Sequence, residues 1–137
     1  MLLSRPMSKM LRTKPVLLVI DDSPDLAALF ASWVSEFGDV HTATSSAQAL
    51  VIASVVRPDL VISDIMLPRM TGFEIVGQLR QTTPDLRVIF VTAYFGMAST
   101  KRARELGAAA ILPKPVERET LQFVVQSTLS GVGDPGR

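Results

Sequence analysis

Five short aliphatic runs, each stopping at a polar residue and each followed by a stretch with helical periodicity, restrict this chain to very few architectures. The runs are Val16–Ile20 (VLLVI), Val40–Ala43 (VHTA), Leu60–Ser63 (LVIS), Arg87–Val91 (RVIFV) and Ala109–Leu112 (AAIL). Unbroken aliphatic runs of this length suit strands buried on both faces, as in a parallel sheet covered by helices on each side. Between the first two runs, Leu26, Leu29, Phe30, Trp33 and Phe37 recur at i, i+3, i+4, i+7 and i+11, one face of a helix that Gly38 terminates. Leu50 with Ala53, Phe73 with Val76 and Leu79, and Leu121 with Val124, Val125 and Leu129 repeat the pattern; Ala98–Leu106 shows it most weakly. Ser23 before Pro24 predicts an N-cap followed by a first-turn proline, and Ser45…Gln48 and Thr71…Glu74 have capping-box spacing. Five βα units in series predict an α/β fold, a doubly wound five-stranded parallel sheet.

With 137 residues, 47% of them hydrophobic and 20% charged, the chain has the size and mix of one domain with a true core. It contains no cysteine, which excludes disulfides and thiolate metal sites. No apolar run approaches the roughly 18 residues of a membrane span, so a soluble, cytoplasmic protein with no membrane span is expected. Arg5, Lys9, Arg12 and Lys14 precede any acid; removing these four from the net charge of +1 leaves −3 over residues 15–137. A folded unit of that sign offers no electrostatic ground for nucleic-acid binding. Residues 1–14 are read as a flexible basic N-terminal extension, 15–130 as the domain and 131–137 as a C-terminal tail. Met1, Met7 and Met10 leave more than one candidate start.

Ligands of an open parallel sheet bind at the carboxyl ends of its strands, near the point where the strand order reverses. Asp21 and Asp22 end the first run, Asp64 ends the third in LVISDIMLPRMTG, Thr92 ends the fourth in VIFVTAY, and Lys114 ends the fifth in AAAILPKP. Five polar or charged groups from four strand ends thus converge on one rim. Close carboxylates repel by about 4 kcal/mol per pair at an effective dielectric near 20. One divalent cation and Lys114 together supply the three positive charges that balance three carboxylates. An all-oxygen donor set favours a hard ion, and Mg²⁺ suits because it keeps waters and leaves room for a phosphoryl oxygen. Thr92 offers a hydroxyl to a second phosphoryl oxygen and Lys114 a point charge to a third. A carboxylate can serve as covalent acceptor in such chemistry, where positioning and charge neutralisation are most of the catalysis.

The Asp21-Asp22 pair, DIMLPRMTGFE from Asp64 to Glu74, Thr92 followed by Ala93, and Lys114-Pro115, in this order and spacing, resemble the response-regulator receiver domains, the CheY-like family of two-component signalling. The resemblance covers about residues 15–130. It implies a (βα)5 flavodoxin-like fold with strand order 2-1-3-4-5 and a cis Lys114-Pro115 peptide. It implies that Asp64 is phosphorylated by a phosphohistidine of a sensor histidine kinase or phosphotransfer protein. Mg²⁺ would be held by Asp22, Asp64 and the backbone carbonyl of Met66, with Asp21 acting through water. Output would pass to a downstream protein through the fourth helix, fifth strand and fifth helix, from a monomer or weak dimer. The reactions implied are phosphotransfer to the chain itself and its reversal by hydrolysis, not turnover of a separate substrate. One helix follows Lys114 and no output module does, so the expectation is signalling by protein contact, from a single-domain receiver or a piece of a larger regulator or hybrid kinase.

One departure bears on switching. Receivers of this type place Tyr or Phe three residues before the lysine; here that position is Ile111, which has no phenol to turn inward. Tyr94, two residues after Thr92, is the candidate substitute switch. Pro68 and Gly72 are read as turn residues, and His41 as a solvent-facing strand residue. A haloacid-dehalogenase-type phosphatase would need an acid where Ser23 stands, and the P-loop pattern G-x-x-x-x-G-K-[ST] is absent. The competing reading is a receiver-like adaptor that works without phosphorylation, which would typically lack the acceptor or the lysine; both are present.

Overall fold

In the computed structural model, which describes residues 14–131, the five runs are strands and the periodic segments between them are helices. In chain order these are β1 (Val16–Ile20), α1 (Pro24–Val34), β2 (Asp39–Ala43), α2 (Ser46–Val56), β3 (Leu60–Ser63), α3 (Gly72–Thr82), β4 (Arg87–Thr92), α4 (Met97–Glu105), β5 (Ala110–Pro113) and α5 (Arg118–Leu129), with a short 3-10 turn at Ser35–Phe37. All strand pairs are parallel, in the order β2-β1-β3-β4-β5. Apart from Lys14 and Gly131, the basic extension and the tail lie outside the described residues.

Side chains alternate across the sheet and build two cores. Leu17, Val19, Leu60, Ile62, Ile89 and Val91 face one side, where Ala27, Phe30 and Val34 of α1 and Leu121 and Val125 of α5 cover them. Leu18, Ile20, Val61, Val88 and Phe90 face the other, under Ala49 and Ala53 of α2, Ile75, Val76 and Leu79 of α3, and Ala103 of α4. Phe90 meets Phe73 edge to face at 5.0 Å. Each such large aliphatic or aromatic side chain contributes about 1.5–3 kcal/mol by leaving water. Only the three central strands are buried along nearly their whole length; the edge strands β2 and β5 are half exposed.

The helix starts follow the sequence with one exception. Ser23 Oγ accepts from the Leu26 amide ahead of Pro24, and Thr71 and Glu74 form a reciprocal capping box. Ser45 Oγ accepts from the Gln48 amide, but Gln48 Oε1 accepts from the Thr44 amide at 2.7 Å instead of that of Ser45, so the predicted box is displaced by one residue. At the other end of α1, the α-helix stops at Val34 and Phe37 rides on the 3-10 turn, short of the predicted boundary at Gly38. Gly38 is extended (φ 170°), and a Cβ there would lie 2.4 Å from the Pro15 carbonyl oxygen. Its glycine therefore serves the close approach of two chain segments and not a helix stop. β5 is shifted one residue from its predicted position, and α4 begins one residue earlier and ends one earlier.

Candidate functional site

The chain leaves β1 for β2 on one side and returns to β3 on the other, so the carboxyl ends of β1 and β3 flank the crevice where the strand order reverses. The backbone ladder carries past both strand ends, the Asp21 amide donating to Ala43 O (3.1 Å) and the Asp64 amide to Ile20 O (3.0 Å). These bonds aim both carboxylates into one space. On the far side, the Lys114 amide donates to Thr92 O at 2.9 Å, extending the β4–β5 pairing to the lysine.

Lys114 Nζ donates to Asp21 Oδ2 at 2.7 Å and to Asp64 Oδ2 at 2.8 Å. Asp21 is 1% exposed, Asp64 8% and Thr92 0%, whereas Asp22 is exposed at the mouth. Burial pulls the Lys114 pKa down, but the hydrogen bonds and charges of Asp21 and Asp64 outweigh that and hold it above the ordinary lysine value. Each remaining oxygen of the two buried acids also has a donor: the Ser23 amide reaches Asp21 Oδ1 at 2.9 Å, and the Met66 amide reaches Asp64 Oδ1 at 3.2 Å. Thr92 Oγ1 accepts from the Tyr94 amide at 3.0 Å, which leaves its O–H as a donor for something else.

One carboxylate oxygen from each of Asp21, Asp22 and Asp64 lies within 4.8 Å of the others. Ligands on an octahedral Mg²⁺ at about 2.1 Å stand about 2.9 Å apart when adjacent and about 4.2 Å when opposite. Oxygens all within 4.8 Å of one another can therefore gather around a single such ion. The cluster's three negative charges face one lysine, so the donor set fits a hard divalent cation in both charge and chemistry.

The strand-end reasoning thus named five side chains that the fold brings to one rim. Met66 also lies beside Asp64, through its backbone, with its side chain 46% exposed. The two switch candidates stand apart in character. Tyr94 is 62% exposed, while Ile111 is partly buried against the α2–α4 core. Gly72 does more than turn the chain. A Cβ at Gly72 would sit 2.2 Å from the Asp64 carbonyl oxygen and 3.1 Å from Ser63 Oγ, so the first residue of α3 packs directly against the backbone of the candidate acceptor. Ser63, the last residue of β3, donates its hydroxyl to that same carbonyl at 2.7 Å. The LPRMTG spacing carried the signal for Gly72, but only contact between residues eight apart shows why glycine is needed.

The family model described as response regulator receiver domain matches residues 17–126. The transcriptional regulatory protein GlrR of Escherichia coli is 31% identical over 114 residues, covering 82% of this chain and 26% of its own length. A response regulator receiver protein of Anaeromyxobacter is 35% identical over 100 residues, 72% of this chain and 42% of its own. The chain therefore spans less than half the length of either relative. Among solved structures, the signal receiver domain of a LuxO repressor protein from Vibrio parahaemolyticus superposes with a TM-score of 0.80 at 26% identity, over 87% of this chain and 92% of that one.

Proposed function

The chain belongs to the response-regulator receiver family, and from that premise we propose that it accepts a phosphoryl group on Asp64 from a phosphohistidine and converts the modification into altered protein contacts. The observation that carries the reading is the Lys114 bridge to Asp21 and Asp64 beside the three-carboxylate cluster, because no structural need requires so much charge at a buried strand end. An oxygen of Asp64 attacks phosphorus, the P–N bond of the donor breaks, and the imidazole nitrogen leaves with the bonding pair. Lys114 neutralises charge on the transferred group, and the Thr92 hydroxyl donates to one of its oxygens. Asp22, Asp64 and the Met66 carbonyl would hold Mg²⁺, with Asp21 acting through water. When bound, that ion supplies charge neutralisation for an approaching phosphoryl group.

Output follows from the same geometry. Thr92 Oγ1 is tied to the Tyr94 amide, so a Thr92 that turns toward a phosphoryl oxygen pulls on the loop carrying Tyr94. The exposed Tyr94 ring is not held by core packing, and Ile111 has no polar tip to exchange between two states. Tyr94 is therefore the switch residue in this reading, acting on the α4–β5–α5 face. Incubation with acetyl phosphate and Mg²⁺, followed by intact mass measurement, tests the acceptor: the wild type gains one phosphoryl group and Asp64→Asn gains none. An Asp64→Asn variant labelled as fully as wild type overturns the assignment.

A further inference from the structure

Along β3 the side chains alternate between the two cores, and the alternation sets Ser63 on the same face as Val61, toward α2, α3 and α4. Its neighbours across the sheet are Ile20 on β1 and Phe90 on β4, both buried apolar members of that core. Ser63 is itself 1% exposed. A hydroxyl buried in such a row costs free energy unless it is hydrogen-bonded, and alanine or valine would fill the row without that cost. Ser63 Oγ gives its proton to one acceptor, the Asp64 carbonyl oxygen. That carbonyl lies past the end of β3, where no backbone amide among the described residues donates to it.

We propose that Ser63 is a positioning residue for Asp64, fixing the backbone from which the carboxylate projects; the proposal rests on the reading of Asp64 as phosphoacceptor. The Asp64 amide is tied to Ile20 O at 3.0 Å and the Asp64 carbonyl to Ser63 Oγ at 2.7 Å, so the peptide planes on both sides of its Cα are held. Only the side-chain torsions then remain free, and the Met66 amide on Oδ1 and Lys114 Nζ on Oδ2 set them. The next carbonyl, of Ile65, accepts from the Gly72 amide at 2.7 Å, so the chain leaves β3 with that peptide held too. Gly72 closes the arrangement, because a Cβ there would lie 3.1 Å from Ser63 Oγ and closer still to the carbonyl the serine holds. Without the serine hydroxyl the peptide after Asp64 is free to tilt, and the carboxylate swings with it relative to Lys114 and Thr92.

The test compares Ser63→Ala with Ser63→Thr, which keeps the hydroxyl, and with Val61→Ala, a cavity variant on the same strand and face. In the unphosphorylated, metal-free protein, Ser63→Ala moves the Asp64 carbonyl ¹³C resonance upfield through loss of the bond. It also shifts the Asp64 carboxyl ¹³C resonance, as the contact with Lys114 changes, whereas Val61→Ala moves neither. With acetyl phosphate and Mg²⁺, the rate of phosphoryl gain followed by intact mass falls about tenfold or more in Ser63→Ala, within the range that a small misplacement of a reacting group costs. Ser63→Thr labels near the wild-type rate, and Val61→Ala does so too although it melts earlier. A Ser63→Ala variant that labels at the wild-type rate, or whose Asp64 carboxyl resonance stays in place, overturns the positioning role. Equal slowing in Val61→Ala overturns it as well, since the effect would then be one of general stability. A wild type that takes no phosphoryl group, with the resonances moving as described, overturns instead the phosphoacceptor reading, while Ser63 still sets the geometry of Asp64.

Discussion

At the scale of single residues, the rim is a balance of one lysine against three carboxylates, and its members differ in burial. Asp21 and Asp64 are buried and share Lys114, so removing the lysine leaves two close carboxylates without their cation. Lys114→Met therefore lowers the unfolding free energy of the metal-free protein by about 1–3 kcal/mol, and added Mg²⁺ recovers part of it; urea titrations with and without the ion measure both. Asp22 is exposed and adds repulsion without holding the lysine bridge. Asp22→Asn accordingly stabilises the metal-free protein, by less than about 1 kcal/mol, while weakening its response to Mg²⁺. Gly72→Ala forces a Cβ against the Asp64 carbonyl and costs about 1–3 kcal/mol. The same substitution displaces Asp64, the proposed acceptor, so labelling by acetyl phosphate slows in a time course of intact mass.

At the scale of elements, α4 is the least anchored part of the sheet's cover. Ala103 is its one fully buried residue, the loop before it exposes Tyr94 and Phe95, and its own first residue, Met97, is exposed too. Its far end is held by Arg80 of α3, whose guanidinium donates to Leu86 O and to Leu106 O beside the end of α4. Burial lowers the Arg80 pKa. A helix clamped at its C-terminal end and loose at its start can be re-aimed by the Thr92–Tyr94 link. Amide hydrogen exchange is therefore faster over residues 97–102 than over 73–79. Tyr94→Ala leaves phosphorylation of Asp64 largely intact but reduces the beryllofluoride-induced amide shifts across residues 94–125. Ile111→Ala costs about 1–2 kcal/mol of packing, half-buried as it is, and leaves those shifts in place. Full wild-type shifts in the Tyr94 variant would move the switch onto Thr92 and the backbone alone.

At the scale of the whole molecule, folding is what assembles the acidic cluster, so a cation that binds it stabilises the native state only. At a free Mg²⁺ concentration 100 times the dissociation constant this amounts to about 2.7 kcal/mol. Thermal melts in rising Mg²⁺ should climb accordingly in the wild type and stay nearly flat in Asp22→Ala. Among the described residues no helix is long and apolar enough to cross a membrane.

Local periodicity was legible in the sequence because it depends on residues within a dozen positions of each other: the aliphatic runs had to be strands, and the stripe from Leu26 to Trp33 had to be a helix. The rim could be named as well, since side chains that end parallel strands emerge on the same edge. What the sequence by itself could not supply was distance between remote parts. Lys114 reaches Asp21 across 93 residues and Asp64 across 50, because covering both faces of the sheet with short right-handed crossovers sets β3 beside β1 and β5 at the edge. The glycines at 38 and 72 read as helix stop and turn, but packing made them points where one backbone presses on another. The tie from Tyr94 to Thr92 spans only two residues, yet no pattern marks it, because a threonine hydroxyl buried at a strand end bonds whichever amide the following loop presents.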